Sequence, residues 1–263
     1  MKDKELRYGL ALSGGGARGI AHIGVIAALE ENGIFPDTIA ASSMGSIIGA
    51  LYAAGLNPAE MLEVAKKEKL YKLFNWKFPK GGMLSLDFLL DLLKTNIKKD
   101  SFGALKKQLF ISVSNISKGD KEIISRGPLF RIIIASCSIP VIFHPQVING
   151  NTYVDGGLFN DLPVEPLVER CDRIIASHVN YNGPDPELSS IKAIAERVYR
   201  LAIYQNVKKN FEKCDLIIDP PELRKHGIFD FKHIETLYEI GYKATIKAMS
   251  AKGEILRSEV PQS

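Results

Sequence analysis

At 263 residues, 46% of them hydrophobic and 24% charged, the chain can bury a sizeable core and is too mixed in composition to be fibrous or disordered. Its formal net charge of +4 is too slight to argue for a nucleic-acid partner, and no run approaches the roughly 18 apolar residues of a membrane-crossing helix. Cys137, Cys171 and Cys214 are odd in number and widely spaced, which predicts reduced thiols buried in a core, as in a reducing cytoplasm.

Tyr8 to Leu12 is a short apolar run that stops at Ser13 and three glycines, the pattern of a buried strand feeding a tight turn. The same glycines break the apolar run behind the positive N-terminus, and no small-residue cleavage site follows, so no signal peptide is expected. Ala17 to Asn32 reads as a helix stopped by Gly33, Thr38 to Ser42 as a second strand, and Met44 to Ala54 as a helix ended by Gly55. Asn57-Pro58-Ala59-Glu60 supplies an N-cap, a first-turn proline and a capping-box glutamate for a third helix. Order weakens between Tyr71 and Gly82, after which Ser85 is expected to cap a helix over Leu86 to Leu93.

Ile111 to Ser117 and Lys121 to Ser125 alternate around Lys118-Gly119-Asp120, which predicts a hairpin. Leu129 to Ser136 reads as a helix. Val147-Ile148 and Thr152 to Val154 flank Asn149-Gly150, a strong hairpin signal. Arg173 to Val179 is a further buried strand, Ile191 to Phe211 a long amphipathic helix, and Leu216 to Asp219 a last strand closed by two prolines. Asp230 is placed to cap a final helix towards Lys252. Strands alternating with helices predict an α/β fold with a largely parallel sheet.

Gly14-Gly15-Gly16-Ala17-Arg18-Gly19 satisfies the GxGxxG pattern, but a dinucleotide site needs an acidic residue after the second strand, where Ser43 stands; Asp37 precedes that strand. No Gly-Lys-Ser/Thr follows, so a Walker A loop is excluded. What remains is a row of backbone N–H groups at a helix N-terminus, suited to a phosphate or a transient oxyanion, or a tight turn without a ligand. Ala41-Ser42-Ser43-Met44-Gly45 resembles the GxSxG nucleophile elbow with Ser43 at its centre, with Ala41 in place of the first glycine. Ser42 lacks a glycine two residues on. A serine needs a base. None of His22, His144, His178, His226 and His233 lies in a recognisable triad signature, whereas Asp155 ends a strand and precedes Gly156-Gly157. An ordinary Asp-Gly turn has the same local sequence.

Taken in order, the glycine loop, the serine turn and Asp155-Gly156-Gly157 resemble the bacterial patatin-like phospholipases, especially their short, single-domain cytoplasmic members. Ala135-Ser136-Cys137-Ser138-Ile139-Pro140 and Asn160-Asp161-Leu162-Pro163 agree with that resemblance. It runs from about residue 7 to 180, and more loosely to Gly241-Tyr242. The resemblance implies one domain over 1–263, its motif-bearing part about 7–180 and a helical C-terminal part about 185–255. It implies a three-layer α/β/α fold related to that of malonyl-transferring acyltransferases, and a Ser43–Asp155 dyad without histidine. Gly15, Gly16 and Met44 are then the oxyanion-hole donors. Gly14, Ala17, Arg18, Gly19, Gly45, Gly156 and Gly157 support them. No metal and no other cofactor is implied.

The implied activity is hydrolysis of lipid acyl esters, phospholipid or lysophospholipid; an acyltransferase or a non-catalytic regulatory member of the fold are the alternatives. Residues 61 to 110 hold eleven lysines and five acids, and aromatics interleave with lysines over 66–80. That stretch is either a flap meeting anionic lipid headgroups or a solvated helix face with its aromatics in the core. The expectation is a cytoplasmic protein, peripheral to a membrane at most, with no nucleic-acid partner.

Overall fold

The computed structural model describes residues 6–67, 85–184 and 191–257. The expected flap at 66–80 lies outside them except for Lys66 and Lys67, and the start of the expected C-terminal part, 185–190, lies outside them too. In chain order the elements are β1 (Tyr8–Leu12), a 3-10 turn (Gly16–Ile20), α1 (Ala21–Glu31), β2 (Thr38–Ser42), α2 (Met44–Ala54), α3 (Pro58–Lys67) and α4 (Asp87–Asn96). They continue with β3 (Gln108–Asn115), β4 (Asp120–Ile124), α5 (Phe130–Ser136), β5 (Gln146–Ile148), β6 (Asn151–Val154), α6 (Gly157–Asn160) and α7 (Glu165–Val168). The last are β7 (Arg173–Ser177), α8 (Ile191–Phe211), β8 (Leu216–Ile218) and α9 (Ile234–Arg257). Among the described residues no helix is long and apolar enough to cross a membrane.

The strands form one eight-stranded sheet. Its parallel part runs β3-β2-β1-β7-β8, and β4, β5 and β6 join antiparallel. The parallel strands alternate in side-chain size. Leu10, Leu12, Ile39, Ala41 and Ile175 enter the larger core with α1, α2, α3, α4, α5 and α9. Ala11, Ala40 and Ala176 face the smaller one with Leu162, Leu167 and Val207 of the α6–α8 side. Because successive residues of a strand face opposite ways, one sheet serves both cores, and the layers stack helix, sheet, helix.

The register at β3 brings two chain segments together. Ser112 pairs with Ile123 and with Ser42, and Ser114 pairs with Lys121 and with Val154. A strand residue has two edges, so β4 occupies one edge of β3 throughout while β2 and β6 share the other. β2 and β6 run in opposite directions and end facing one another. The residue after each, Ser43 and Asp155, emerges into the gap.

Local expectations hold at several points. Asn57 Oδ1 accepts from the Glu60 N–H and Glu60 Oε2 from the Asn57 N–H, both at 2.9 Å, closing the capping box. Asn149 and Gly150 both have positive φ, 49° and 78°, as a tight hairpin turn between β5 and β6 requires. Ser85 is not the N-cap expected of it: Leu86 holds that position and α4 runs Asp87–Asn96 rather than Leu86 to Leu93, though Ser85 Oγ still accepts from Asp87 N–H at 3.2 Å.

Other expectations are corrected. The helix expected from Ala17 begins at Ala21; before it the chain winds as a 3-10 turn over Gly16–Ile20, with the Ala17 N–H taken by the distant Ile228 carbonyl at 2.7 Å. Asp230 does not cap α9, which starts at Ile234; its carboxylate instead accepts from the His226 and His233 rings. Cys137 is buried, whereas Cys171 and Cys214 are only half-buried; all three are free thiols.

Candidate active site

Ser43 is the single residue between β2 and α2, and its backbone is held at φ 48°, ψ −125°. A residue with a side chain costs on the order of 1–3 kcal/mol in such a conformation and persists only where neighbours over-determine it. Here the Ser43 N–H donates to Ser136 Oγ at 2.8 Å, and that hydroxyl donates to the Ser112 carbonyl at 2.8 Å. The Ser43 carbonyl accepts from Ser46 N–H at 2.8 Å and from Ser46 Oγ at 2.6 Å. A Cβ on Gly45 would stand 2.6 Å from the carbonyl oxygens of both Leu12 and Ser13, so only glycine fits there. The methyl of Ala41 is accommodated because it faces Gly49, at ordinary contact distance from where a Cβ on Gly49 would lie, 3.5 Å.

Asp155 is buried, and its Oδ2 accepts the Ser43 hydroxyl at 2.6 Å. Its Oδ1 accepts the Gly157 N–H at 2.8 Å, and its own N–H goes to the Ser138 carbonyl at 2.9 Å. Gly156 N–H reaches the Ser136 carbonyl at 3.2 Å. The end of α5 therefore holds both sides of the pair, which is what the Ala135 to Pro140 block does. Burial pushes the Asp155 pKa up to about 7, against the bonds from Ser43 and Gly157, with a further rise from the nearby Asp161 carboxylate.

The glycine loop divides its amides between structure and open space. Gly14 N–H donates to Asp161 Oδ1 at 2.9 Å, and Ala17 N–H is taken by Ile228. Between them Gly15 and Gly16 have φ 145° and 56°, and Cβ atoms there would strike Val179 and the Ile228 carbonyl. The N–H groups of Gly15, Gly16 and Met44 have no acceptor among the described residues. Arg18 is buried, and its charge favours the ionised form of Asp161, whose pKa burial pushes up. Gly19 lies against the Met44 side chain, with 2.4 Å from a built Cβ to Met44 Cγ.

Sequence reasoning missed several residues that hold this loop. Asp161 Oδ2 accepts Asn180 Nδ2 at 3.0 Å, and the same amide reaches the Gly14 carbonyl at 3.1 Å. His22 Nε2 lies 2.9 Å from the Ser13 carbonyl and Nδ1 2.7 Å from Ser177 Oγ. A carbonyl cannot donate, so Nε2 carries the proton and Nδ1 accepts. Burial brings the His22 pKa down to about 4, which keeps it neutral. Asp161 lay inside a block the sequence marked; a lone Asn180 after a strand carried no signal. No imidazole hydrogen-bonds to Ser43 or Asp155 among the described residues. The group there with metal-ligand chemistry is His226, Asp230 and His233.

From Ser43 a pocket, part of it open to solvent, extends between α2, α3, α4 and the loop before α9. Its lining includes Gly16, Met44, Ile47, Leu51, Met61, Ala65, Leu89, Phe143 and Phe231, and no charged side chain among the described residues.

A family model described as Patatin-like phospholipase matches residues 10–168. Lysophospholipase NTE1 of Phaeosphaeria nodorum is 30% identical over 89% of this chain and 18% of its own length. An uncharacterized NTE family protein of Mycobacterium tuberculosis is 32% identical over 68% of this chain and 51% of its own. The chain thus spans between under a fifth and about half of these relatives. Among solved structures, VipD from Legionella pneumophila superposes with a TM-score of 0.53 at 15% identity, covering 95% of this chain and 67% of that one. Human GIVD cytosolic phospholipase A2, in complex with methyl gamma-linolenyl fluorophosphonate, gives 0.50 at 11%, covering 96% and 59%. At these identities the structural likeness concerns the fold alone.

Proposed function

Because the chain belongs to the patatin-like phospholipase family, we propose that it hydrolyses the acyl esters of phospholipids or lysophospholipids through a Ser43–Asp155 dyad and an acyl-enzyme. The observation that carries this reading is the 2.6 Å bond from Ser43 Oγ to a buried carboxylate, made in a positive-φ turn at the head of an apolar pocket. In this reading the acyl chain fills the pocket and the ester carbonyl lies at Ser43. The hydroxyl attacks the carbonyl carbon while Asp155 accepts its proton. A carboxylate is a weak base for an alcohol at its reference pKa of about 3.9, and one held near 7 is better matched to neutral pH.

The oxygen that becomes negative is met by the N–H groups of Gly15, Gly16 and Met44, the last at the N-terminus of α2. One such donor is worth roughly 3 kcal/mol in the transition state. Collapse returns the proton from Asp155 to the leaving alcohol, and water deacylates Ser43 with the same carboxylate as base. The C-terminal helices belong to the same unit in this proposal, since Ile228 pins the glycine loop and α9 packs on α1. The apolar side chains that line the pocket among the described residues support an acyl chain as the part enclosed.

Labelling with a fluorophosphonate probe tests the assignment. Native protein should be labelled at Ser43 and release fatty acid from lysophospholipid; Ser43→Ala should do neither. Labelling that survives in Ser43→Ala and is lost in Ser42→Ala would move the nucleophile.

A further inference from the structure

The loop between β8 and α9 brings two imidazoles onto one carboxylate. His226 Nδ1 lies 3.0 Å from Asp230 Oδ2, and His233 Nδ1 lies 2.8 Å from Asp230 Oδ1. One ligand-type atom from each of the three residues lies within 4.8 Å of the other two. The rings are 5.5 Å apart and tilted by 58°, and each turns its Nδ1 to a different oxygen of the one carboxylate. Bonds from Asp230 N–H to the Gly227 carbonyl and from Phe231 N–H to the Phe229 carbonyl fold the loop back and set this spacing.

We propose that His226, Asp230 and His233 bind a divalent transition metal of the zinc class, and that the ion steadies the loop on which the glycine loop rests. Two imidazoles and a carboxylate suit zinc, whereas calcium and magnesium call for a shell of oxygens. Ligand bonds of about 2.0–2.2 Å in a tetrahedron put donor atoms roughly 3.4 Å apart. The two imidazole–carboxylate separations need to open by a few tenths of an ångström, and the ligand nitrogens of the two histidines, within 4.8 Å of one another, need to draw together on the ion. The His226 side chain is 14% exposed, Asp230 25% and His233 54%. The ion can therefore enter from solvent and keep an open position for water. Both Nδ1 atoms hold a proton on Asp230 in the metal-free loop; binding moves these protons to Nε2 or releases them.

The consequence lies at the other end of the loop. The Ile228 carbonyl accepts the Ala17 N–H at 2.7 Å, and Ile228, Phe229 and Phe231 wall the pocket. An ion holding His226 to Asp230 and His233 fixes the residues between them, and with them one anchor of the loop that carries the Gly15 and Gly16 amides.

Zinc binding to the untagged, chelator-treated full chain is measured by calorimetry, with Co2+ as a spectroscopic probe of tetrahedral ligation. The Ser43→Ala chain is measured in parallel, so the result does not depend on catalysis. One ion should bind per chain, and His226→Ala, Asp230→Asn and His233→Ala should each weaken it by at least about tenfold, while His144→Ala leaves it unchanged. Hydrogen exchange at the Ala17 amide should slow with zinc in the native chain and not in Asp230→Asn. His233 is half-exposed, so its variant carries the test even if His226→Ala fails to fold. No stoichiometric binding, or binding that survives all three substitutions, overturns the site; bound zinc that leaves Ala17 exchange unchanged overturns the coupling.

Discussion

For Ser43 to pass its proton to Asp155, as proposed, the carboxylate must be ionised, and burial that pushes its pKa up to about 7 would set the pH at which this happens. In the proposed mechanism kcat/KM for an acyl ester therefore rises through an apparent pKa near 7 and levels above it. A profile flat between about pH 5 and 8 would remove Asp155 as the base. The same shift has a cost in stability. The folded state holds this proton more tightly than the unfolded chain, whose group titrates near 3.8. The stabilisation it provides is complete below that value and is lost as pH rises through about 7. Asp155→Asn keeps a partner for the Gly157 N–H, since its amide oxygen accepts while its NH2 donates to Ser43. The variant should be inactive, yet more stable than the native chain by a few kcal/mol above neutral pH, with the gap closing towards pH 4. Urea titrations at both ends of that range measure it. His22 acts in the opposite sense: its folded pKa of about 4 lies below the usual 6.5, so its contribution is present above 6.5 and fades as pH falls through 4.

At the scale of elements, α1 and α9 meet backbone to backbone. A Cβ on Gly24 would lie 2.0 Å from the Tyr238 carbonyl oxygen, and one on Gly241 2.0 Å from that of Ala21. Helix propensity alone favours Gly24→Ala by about 1 kcal/mol, but here the methyl has no room. We expect a loss of about 1–3 kcal/mol in chemical denaturation, and a gain would mean that the helices can separate freely. Neither glycine announces this role, because the contact depends on two helices distant in the chain. The same limit explains what else was legible. The α2 boundaries, the Asn57–Glu60 box and the Asn149-Gly150 turn are written in adjacent residues. Motif order rather than spacing points to the serine turn and Asp155, since only the shared edge of β3 brings them together. The first turn of the helix expected from Ala17 is a 3-10 turn whose leading amide bonds the distant Ile228, a contact no local pattern carries. Asp230 looked like a cap until its two histidines were folded beside it.

The whole molecule is lopsided across its sheet. One face carries alanines against α7 and α8; the other carries larger side chains and a thick helical layer with the pocket inside it. The Ser43–Asp155 pair sits where that layer meets the strand ends, so in the proposed function the depth of the layer sets how much acyl chain can be enclosed. Each methylene taken from water contributes about 0.8 kcal/mol. If that gain is kept in the transition state, kcat/KM should climb about fourfold per carbon until the pocket is full and then level. Ala65 of α3 is nearly inaccessible and lines the pocket, so Ala65→Trp should fill space there. The variant should hydrolyse short acyl esters at close to the native rate and reach its plateau at a shorter chain. A series of esters with increasing chain length reads both effects in one experiment, with fluorophosphonate labelling confirming that the site is intact. Equal loss at every length would mean that the substitution disturbs the fold, and an unchanged plateau would mean that the chain binds elsewhere.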